Sequence, residues 1–263
     1  MTATEGGLPV IDLGGTEVAY SKQGSGSTIL YLGSCHWIAD DGAFREALAT
    51  KAQVIAPLYP GIGSAKDRNK LNSVDDLAFL YLDFIEKLGL KEVTLVGASF
   101  GGWVAAEMAL RRSAALTQMV LINPLGIKVS DRETRDITDF YGTPDDELRR
   151  RAFIDPAQSG PALRELDDEQ LRLRLQAREM LARFGWQPYM HHPRLKLRLS
   201  RVNIPSLVLG SDHDTMVSAG YARKFAELIP TARFEEIKNA RHFAHIEQAS
   251  TVADRVAAFA AQK

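Results

Sequence analysis

Two hydrophobic patterns alternate along the chain. Short apolar runs rich in Val, Ile and Leu are typical of strands that are buried on both faces of a parallel sheet. Longer segments between them carry apolar residues three or four positions apart, which predicts amphipathic helices. The predicted strands cover residues 28–32, 53–57, 93–96, 118–123, 205–210 and 233–237. The predicted helices cover residues 43–49, 73–88, 103–111, 145–153, 167–184, 219–228 and 247–261.

This alternation favours an α/β fold in which a mostly parallel sheet has helices on both faces. A hairpin precedes it, since residues 9–13 and 16–21 flank the Gly14-Gly15 pair. The clearest helix start is at Ser73, where Ser73 and Asp76 have the spacing of a capping box.

The pattern breaks between residues 127 and 199. This segment is rich in Arg, Asp and Glu and has no strand-like run. We therefore divide the chain into an α/β core, residues 1–126 and 200–263, and a helical lid, residues 127–199. Because ligands bind at the carboxyl ends of the strands in such sheets, we expect the lid to lie over that edge. Its charged residues are interpreted as a solvated surface rather than as an ion site.

Composition narrows the possible functions. The chain has 263 residues, 45% of them hydrophobic and 25% charged, which is ordinary for a soluble globular protein. Its net charge of -1 gives no field that would attract nucleic acid or a membrane surface, so neither partner is expected. The single cysteine, Cys35, excludes an internal disulfide and fits a reducing compartment. With no signal-peptide pattern and no apolar run of about 20 residues, we expect a cytoplasmic protein. The sequence leaves open whether the protein forms a homodimer.

Residues 93–102 give the strongest chemical signal. A predicted buried strand runs directly into Gly-x-Ser-x-Gly-Gly, and a helix-forming segment follows. Gly97 and Gly101 leave room for a sharp strand-to-helix turn, because a Cβ at either position would crowd it. This pattern predicts a nucleophile elbow that presents the Ser99 hydroxyl above the sheet. Such a nucleophile also needs a histidine base and a carboxylate to orient that base.

Candidates for both partners follow the elbow in the chain, each after a predicted strand. Asp212 and Asp214 lie in the polar turn after residues 205–210, and the spacing alone leaves both open. His242 and His245 lie between the last strand and the last helix, where the order Ser, Asp, His requires the base. We predict that His242 is the base, and we expect His245 to support the loop or cap the helix.

The expected chemistry is acyl transfer. The histidine accepts the serine proton, and the carboxylate fixes the imidazole tautomer. Ser99 then attacks a carbonyl and forms a tetrahedral oxyanion. We expect the amide of Phe100 and one amide from the loop after Leu32 to hold that charge, and losing one such donor costs about 3–4 kcal/mol of barrier.

These motifs resemble those of the α/β-hydrolase superfamily over nearly the whole chain. The resemblance rests on the elbow at residues 97–102, the turn-rich loop at 54–64, the acid loop at 207–217 and the histidine loop at 240–248. It implies a catalytic triad of Ser99, Asp214 and His242. Within the superfamily the chain is most similar to bacterial esterases, enol-lactonases and C–C bond hydrolases that have a helical lid. Such proteins need no cofactor, so neither a cofactor nor a metal is expected.

The loop after the predicted strand at residues 28–32, which is the third strand when the hairpin is counted, departs from the family pattern. In that pattern, His-Gly precedes the residue whose amide N–H binds the oxyanion. Here the loop reads Gly33-Ser34-Cys35-His36-Trp37. The donor is Ser34 if Gly33 keeps the place of the family glycine, and Cys35 if Gly33 replaces the histidine. Cys35 is slightly favoured. A Cys35 nucleophile paired with His36 is disfavoured, because adjacent loop residues rarely face each other.

The sequence thus predicts a serine hydrolase that acts on a small, fairly hydrophobic carboxylic ester or lactone. The residues expected to contact this small-molecule substrate are His36, Trp37, Trp186 and Phe243. Three alternatives stay open: hydrolysis of a C–C bond in a vinylogous diketone by the same triad, a cofactor-free oxygenase of the same fold, and a ligand-binding protein without catalysis. The position of Asp214 disfavours the oxygenase, and the presence of all three triad residue types disfavours the binding protein.

Overall fold

The computed structural model describes residues 2–3, 7–34, 41–62 and 71–262. Its strands are β1 (Thr2–Ala3), β2 (Pro9–Leu13), β3 (Thr16–Gln23), β4 (Thr28–Leu32), β5 (Gln53–Pro57), β6 (Val93–Ala98), β7 (Leu116–Ile122), β8 (Ser206–Ser211) and β9 (Ala232–Ile237). Its α-helices are α1 (Gly42–Ala49), α2 (Val74–Lys87), α3 (Phe100–Leu110), α4 (Asp145–Ala152), α5 (Asp168–Gly185), α6 (Leu195–Arg198), α7 (Tyr221–Glu227), α8 (Ala244–Glu247) and α9 (Ala249–Ala260). Within these residues the strands form one nine-stranded sheet in the order β1-β2-β3-β5-β4-β6-β7-β8-β9.

The sheet is antiparallel at one end and parallel elsewhere. β2 and β3 form the predicted hairpin, with Leu13 opposite Thr16, and β3 pairs antiparallel with β5. Every neighbouring pair from β5 through β4, β6, β7 and β8 to β9 is parallel. The carboxyl ends of these strands therefore meet at one edge, and the prediction of a mostly parallel α/β sheet is confirmed.

Two apolar layers enclose the sheet, because its central strands are buried on both faces. All six residues of β6 are buried, with Leu95 in one layer and Val96 in the other. Helices α2, α3 and α7 contribute to the first layer, and helices α1 and α9 contribute to the second. The prediction of helices on both faces is therefore confirmed.

Most predicted elements lie within a few residues of the observed ones, and the differences fall near the carboxyl edge. β6 extends to Ala98 and α3 begins at Phe100, so one residue separates strand from helix. The predicted last helix, residues 247–261, corresponds to α9, and a short helix that was not predicted, α8, precedes it. The two are separated at Gln248, whose φ of −131° and ψ of 51° are not helical. Ser73 is the N-cap of α2 and forms the predicted capping box with Asp76.

The inserted segment, residues 127–199, lies between β7 and β8 and is described throughout; it contains helices and no strand. α5 packs Met180, Leu181 and Phe184 into the larger apolar layer. The interpretation of the charges here as a solvated surface is wrong for Arg149, which is 7% exposed. Its guanidinium donates to Asp145 and to oxygen atoms of residues 159–161, so it ties α4 to the loop that follows.

Candidate active site

Ser99 lies between β6 and α3 at the carboxyl edge of the sheet, with a φ of 52° and a ψ of −114°. A positive φ is strained for a residue that has a side chain, so the surroundings must impose it. The Ser99 N–H donates to the carbonyl of Ile122 (2.9 Å), and the Ser99 carbonyl accepts from the N–H of Leu125 (3.0 Å). These bonds hold Ser99 in the sharp turn that characterises a nucleophile elbow.

Two glycines make this turn sterically possible. A Cβ at Gly101 would lie 2.1 Å from the carbonyl oxygen of Leu32. A Cβ at Gly97 would lie 2.4 Å from the carbonyl oxygen of Gly101. Carbon and oxygen atoms cannot approach so closely without displacing the backbone, so α3 keeps its contact with β4 only when both positions lack a side chain.

Three polar side chains from three loops meet at this edge. The Ser99 Oγ lies 2.8 Å from His242 Nε2, and His242 Nδ1 lies 2.8 Å from Asp214 Oδ2. Because an ionised carboxylate only accepts, we assign Nδ1–H as the donor to Asp214 and Nε2 as the acceptor from the Ser99 hydroxyl. Ser99 is 3% exposed, and the side chains of His242 and Asp214 are 0% and 7% exposed. The arrangement can move a proton from the serine to the histidine while the carboxylate orients the ring.

Geometry separates the two candidate acids. Asp214 Oδ2 faces His242, while its Oδ1 accepts the N–H of Met216 (2.9 Å), which fixes the carboxylate. Asp212 accepts instead from His213 Nδ1 (2.7 Å) and from the N–H of Ala240 (3.4 Å). Asp212 therefore ties its own turn to the start of the histidine loop, and Asp214 is the carboxylate beside His242.

Two of the residues predicted for the oxyanion hole, Phe100 and Ser34, lie within the described residues. Phe100 is the first residue of α3, where N–H groups have no intrahelical acceptor and the helix dipole is positive. Ser34 is buried and follows Gly33, whose carbonyl oxygen lies against the elbow. Cys35 lies outside the described residues, as do His36 and Trp37. The roles of Phe100, Ser34 and Cys35 stay predictions.

The two remaining residues predicted to contact substrate lie in different environments. Phe243 is 1% exposed, and its ring centroid lies 5.0 Å from that of His242 and 5.2 Å from that of Phe153. Trp186 follows α5, is 59% exposed and packs edge-on against Tyr141. The structure thus places Phe243 beside the predicted base and Trp186 on the exposed side of the inserted segment. Their roles in substrate binding stay predictions.

His245 is buried as completely as His242 but is bonded differently. Its ring packs edge-on against Phe44 and Phe243, and neither ring nitrogen has a hydrogen-bond partner among the described residues. Burial, with a smaller contribution from nearby His242, lowers the pKa of His245 to about 3. The ring is therefore neutral near pH 7, supports the loop by packing and caps no helix.

Polar contacts join the histidine and acid loops to the inserted segment. The Glu247 carboxylate accepts the N–H of Ile154 through Oε1 and the N–H of Arg241 through Oε2, each at 2.6 Å. Burial raises the pKa of Glu247 above the usual range of a carboxyl group. In the acid loop, the Thr215 hydroxyl donates to the carbonyl of Arg151 (2.9 Å). Sequence patterns do not reveal the contacts of Glu247 with Ile154 and of Thr215 with Arg151, because these pairs are far apart in the chain.

Two further buried polar residues, Asn123 and Asp136, are missed by the sequence analysis. The Asp136 carboxylate accepts the N–H groups of Val129 and Ser130 and the hydroxyl of Ser218, which links the inserted segment to the acid loop. Asn123 contacts the histidine loop. The one sequence signal available for Asn123 is its position directly after a buried strand, at the edge where the triad candidates also lie.

The described residues contain neither a metal-binding cluster nor a membrane-spanning helix. Within these ranges, no group of three or more His, Cys, Asp or Glu side chains is arranged to hold a metal ion. In the same part of the chain, none of the helices combines the length and the apolar character needed to cross a membrane.

Two proteins of similar sequence differ from each other in length and in their named activity. It is 24% identical over 250 residues to the dihydrolipoyllysine-residue acetyltransferase component of the acetoin cleaving system of Cupriavidus necator. That match covers 91% of this chain but only 65% of the relative, so this chain spans less than two thirds of that protein. It is 23% identical over 253 residues to pyrrolizixenacetamide deacetylase of Xenorhabdus hominickii, covering 90% of this chain and 92% of the deacetylase.

The fold and the family are supported by two further comparisons. The crystal structure of a variant of CumD, a meta-cleavage product hydrolase, superposes with a TM-score of 0.76 at 23% identity, covering 95% of this chain and 97% of CumD. At that identity the likeness shows a shared fold. The sequence model of the alpha/beta hydrolase family matches residues 24–255, from the end of β3 into α9. Because this match spans most of the chain, the protein belongs to the alpha/beta hydrolase family.

Proposed function

We propose that this protein is a serine hydrolase in which Ser99, His242 and Asp214 form the catalytic triad. The observation that carries the proposal is the unbroken hydrogen-bond chain from Ser99 through His242 to Asp214, which begins at a serine held with a positive φ. A serine with a purely structural role needs neither a histidine acceptor nor a strained backbone. The two features together favour a nucleophile.

In the proposed reaction, His242 Nε2 accepts the hydroxyl proton as Ser99 Oγ attacks the carbonyl carbon of an ester. Asp214 stabilises the imidazolium that forms. The amide of Phe100 and a second amide from the loop after β4 bind the oxyanion. Collapse of the tetrahedral intermediate breaks the bond to the alkoxy group, which takes the proton from His242 and leaves as the alcohol. Water, deprotonated by His242, then attacks the acyl-enzyme. The bond between the acyl carbon and Ser99 Oγ breaks, Oγ takes the proton from His242, and the acid is released.

The proposed substrate is a small, fairly hydrophobic carboxylic ester or lactone. Support comes from the aromatic rings of Phe243 and Phe153, which lie next to the base. Phe153 comes from the inserted segment, which we propose as the lid of the site. The similarity to a protein named as a deacetylase supports transfer of an acyl group to water as the class of reaction.

A second candidate is hydrolysis of a C–C bond in a vinylogous diketone. The observation that favours it is the similarity of fold to CumD, which is named as a meta-cleavage product hydrolase. Parallel assays with p-nitrophenyl esters, lactones and vinylogous diketones separate the two candidates. Turnover of the diketone at a kcat/KM far above that of every ester and lactone would favour the second candidate.

Intact-mass measurement after treatment with a fluorophosphonate tests the proposed nucleophile. We expect the wild type to gain one phosphonyl group and Ser99→Ala to gain none, because only an activated serine reacts. Ser200→Ala, a change of the same kind at an exposed position, should label like the wild type. A folded wild type that stays unlabelled would refute the proposal and favour a binding protein, for which Ser99→Ala should leave ligand affinity unchanged.

A further inference from the structure

Asn123 directly follows β7 and is 2% exposed. Its side-chain Nδ2 donates to Ser211 Oγ (2.7 Å) and to the backbone carbonyl of His242 (2.8 Å), and its Oδ1 accepts the N–H of Ser211 (2.9 Å). Both amide hydrogens and the amide oxygen therefore have partners. The backbone has a φ of 41°, a region that Asn occupies more readily than other residues with a side chain. The residue type thus fits both the backbone and the bonds at this position.

Residues 122–125 contact all three segments that carry the triad. Ile122 and Leu125 bind the two backbone groups of Ser99, at 2.9 and 3.0 Å. The Asn123 side chain binds the carbonyl of His242, and the Asn123 N–H donates to the carbonyl of Leu209 in β8 (2.9 Å). One short stretch of chain therefore fixes the nucleophile, the histidine loop and the strand that leads to the acid loop relative to one another.

We propose that Asn123 is a positioning residue that sets the distance between Ser99 and His242. The inference rests on the proposed function. The two nitrogens of the His242 ring form hydrogen bonds to Ser99 and Asp214. Because the ring is attached to the backbone of His242, its distance from Ser99 also depends on where that backbone is held. Asn123 binds that backbone at His242 itself. A displacement of about 1 Å in a catalytic group costs on the order of 100-fold in rate, so loss of this bond should be visible in the reactivity of Ser99.

Two substitutions at Asn123 separate positioning from backbone strain. Asn123→Asp keeps the size, the tolerance of positive φ and the acceptor, but loses both donors and places a carboxylate near His242. Asn123→Gly keeps the backbone conformation and removes every side-chain bond. Asn203→Asp is the matched control, because it makes the same change of charge at an exposed position. Ser211→Ala removes an acceptor that orients the Asn123 amide, so it weakens the hold of that amide on the His242 carbonyl while Asn123 itself is kept.

The measurement is the kinetics of fluorophosphonate labelling of Ser99 from pH 5 to 9, with melting curves to establish folding. For both Asn123 variants we expect the limiting labelling rate to fall about 10- to 100-fold, with the inhibitor concentration at half-maximal rate unchanged within about 2-fold. In Asn123→Asp the midpoint of the pH profile should also rise, because a nearby carboxylate favours the protonated imidazole. Asn203→Asp should label at the wild-type rate, and Ser211→Ala should label at a rate between those of the wild type and the Asn123 variants.

A purely structural role predicts a different result. Folded Asn123→Asp and Asn123→Gly that label at the wild-type rate with an unchanged pH profile would overturn the inference, while labelling of the wild type would leave the proposed function intact. An unlabelled wild type would refute the proposed function and the inference with it. If neither Asn123 variant folds, Ser211→Ala decides: a reduced labelling rate supports the inference, and a wild-type rate overturns it.

Discussion

The carboxyl edge of the sheet and the inserted segment are stabilised in different ways. At the edge, backbone hydrogen bonds and side-chain-free glycines hold Ser99 against its neighbours. In the inserted segment, many charged side chains pair within their own helix, as Glu147 does with Arg150 and Arg151. Exposed pairs of this kind contribute about 0–1 kcal/mol each. We therefore expect the core to set the geometry of the proposed reaction, so that changes at the edge lower kcat and changes in the inserted segment act on KM.

The largest effect that separates the two regions is expected at the acid. Asp214→Asn should lower kcat about 10⁴-fold with little change in KM, because an amide favours the wrong tautomer of His242. Asp212→Asn is the matched control; it lies two residues away, does not contact His242 and should change kcat only a few-fold. Steady-state kinetics with the best ester found in the substrate screen provide the measurement. A similar loss in both variants would contradict the assignment of the acid.

The next largest effect is expected on the stability of the fold, at the contact between α3 and β4. In Gly101→Ala the new methyl group would lie 2.1 Å from the carbonyl oxygen of Leu32, so the helix must move away from the strand. We expect a loss of at least about 3 kcal/mol in the free energy of unfolding, measured by urea denaturation. Gly42→Ala is the control, and it should be neutral or slightly stabilising. Apart from its chain neighbours and its own helix backbone, no heavy atom of the described residues lies within 4 Å of its added Cβ. Equal stabilities would show that the elbow tolerates side chains.

Local sequence was sufficient to predict the fold and the elbow, because apolar runs, helical spacing and the glycines around Ser99 each act over a few residues. Chain order favoured His242 as the candidate base, and the structure places its Nε2 2.8 Å from the Ser99 Oγ. Spacing could not separate Asp212 from Asp214, since both lie in one turn and their orientation depends on contacts with Ala240 and Met216.

The rest of the site could not be predicted for a related physical reason. Asn123 and His242 are joined across 119 positions, and Glu247 and Ile154 across 93. Such contacts exist only once the strands have assembled, and no local pattern encodes them. The burial of Arg149 was missed for a different reason. Apart from Asp145, its acceptors are backbone carbonyls and a hydroxyl, which sequence patterns do not identify as partners of a charge.

A smaller effect at the edge concerns His245. Burial lowers the pKa of this residue to about 3 from an ordinary value near 6.5. The folded state therefore binds fewer protons than the unfolded state between these values, so stability falls as the pH drops below about 6.5. The loss is up to about 1.4 kcal/mol per pH unit. Between pH 7.5 and 5.0, the free energy of unfolding measured by urea denaturation should fall by about 2 kcal/mol less in His245→Leu than in the wild type. An unchanged dependence in His245→Leu would contradict this account.

The smallest effect is expected in the inserted segment, at Trp186. Because its side chain is 59% exposed and packs only edge-on against Tyr141, Trp186→Ala should change the free energy of unfolding by less than about 1 kcal/mol. If Trp186 contacts the substrate as proposed, KM for a hydrophobic ester should rise about 3- to 10-fold while kcat stays within about 2-fold. Leu197→Ala, in the same segment and 76% exposed, should leave both constants unchanged. A fall in kcat at Trp186 would show that the inserted segment also sets the geometry of the reaction, and would remove the distinction between the two regions.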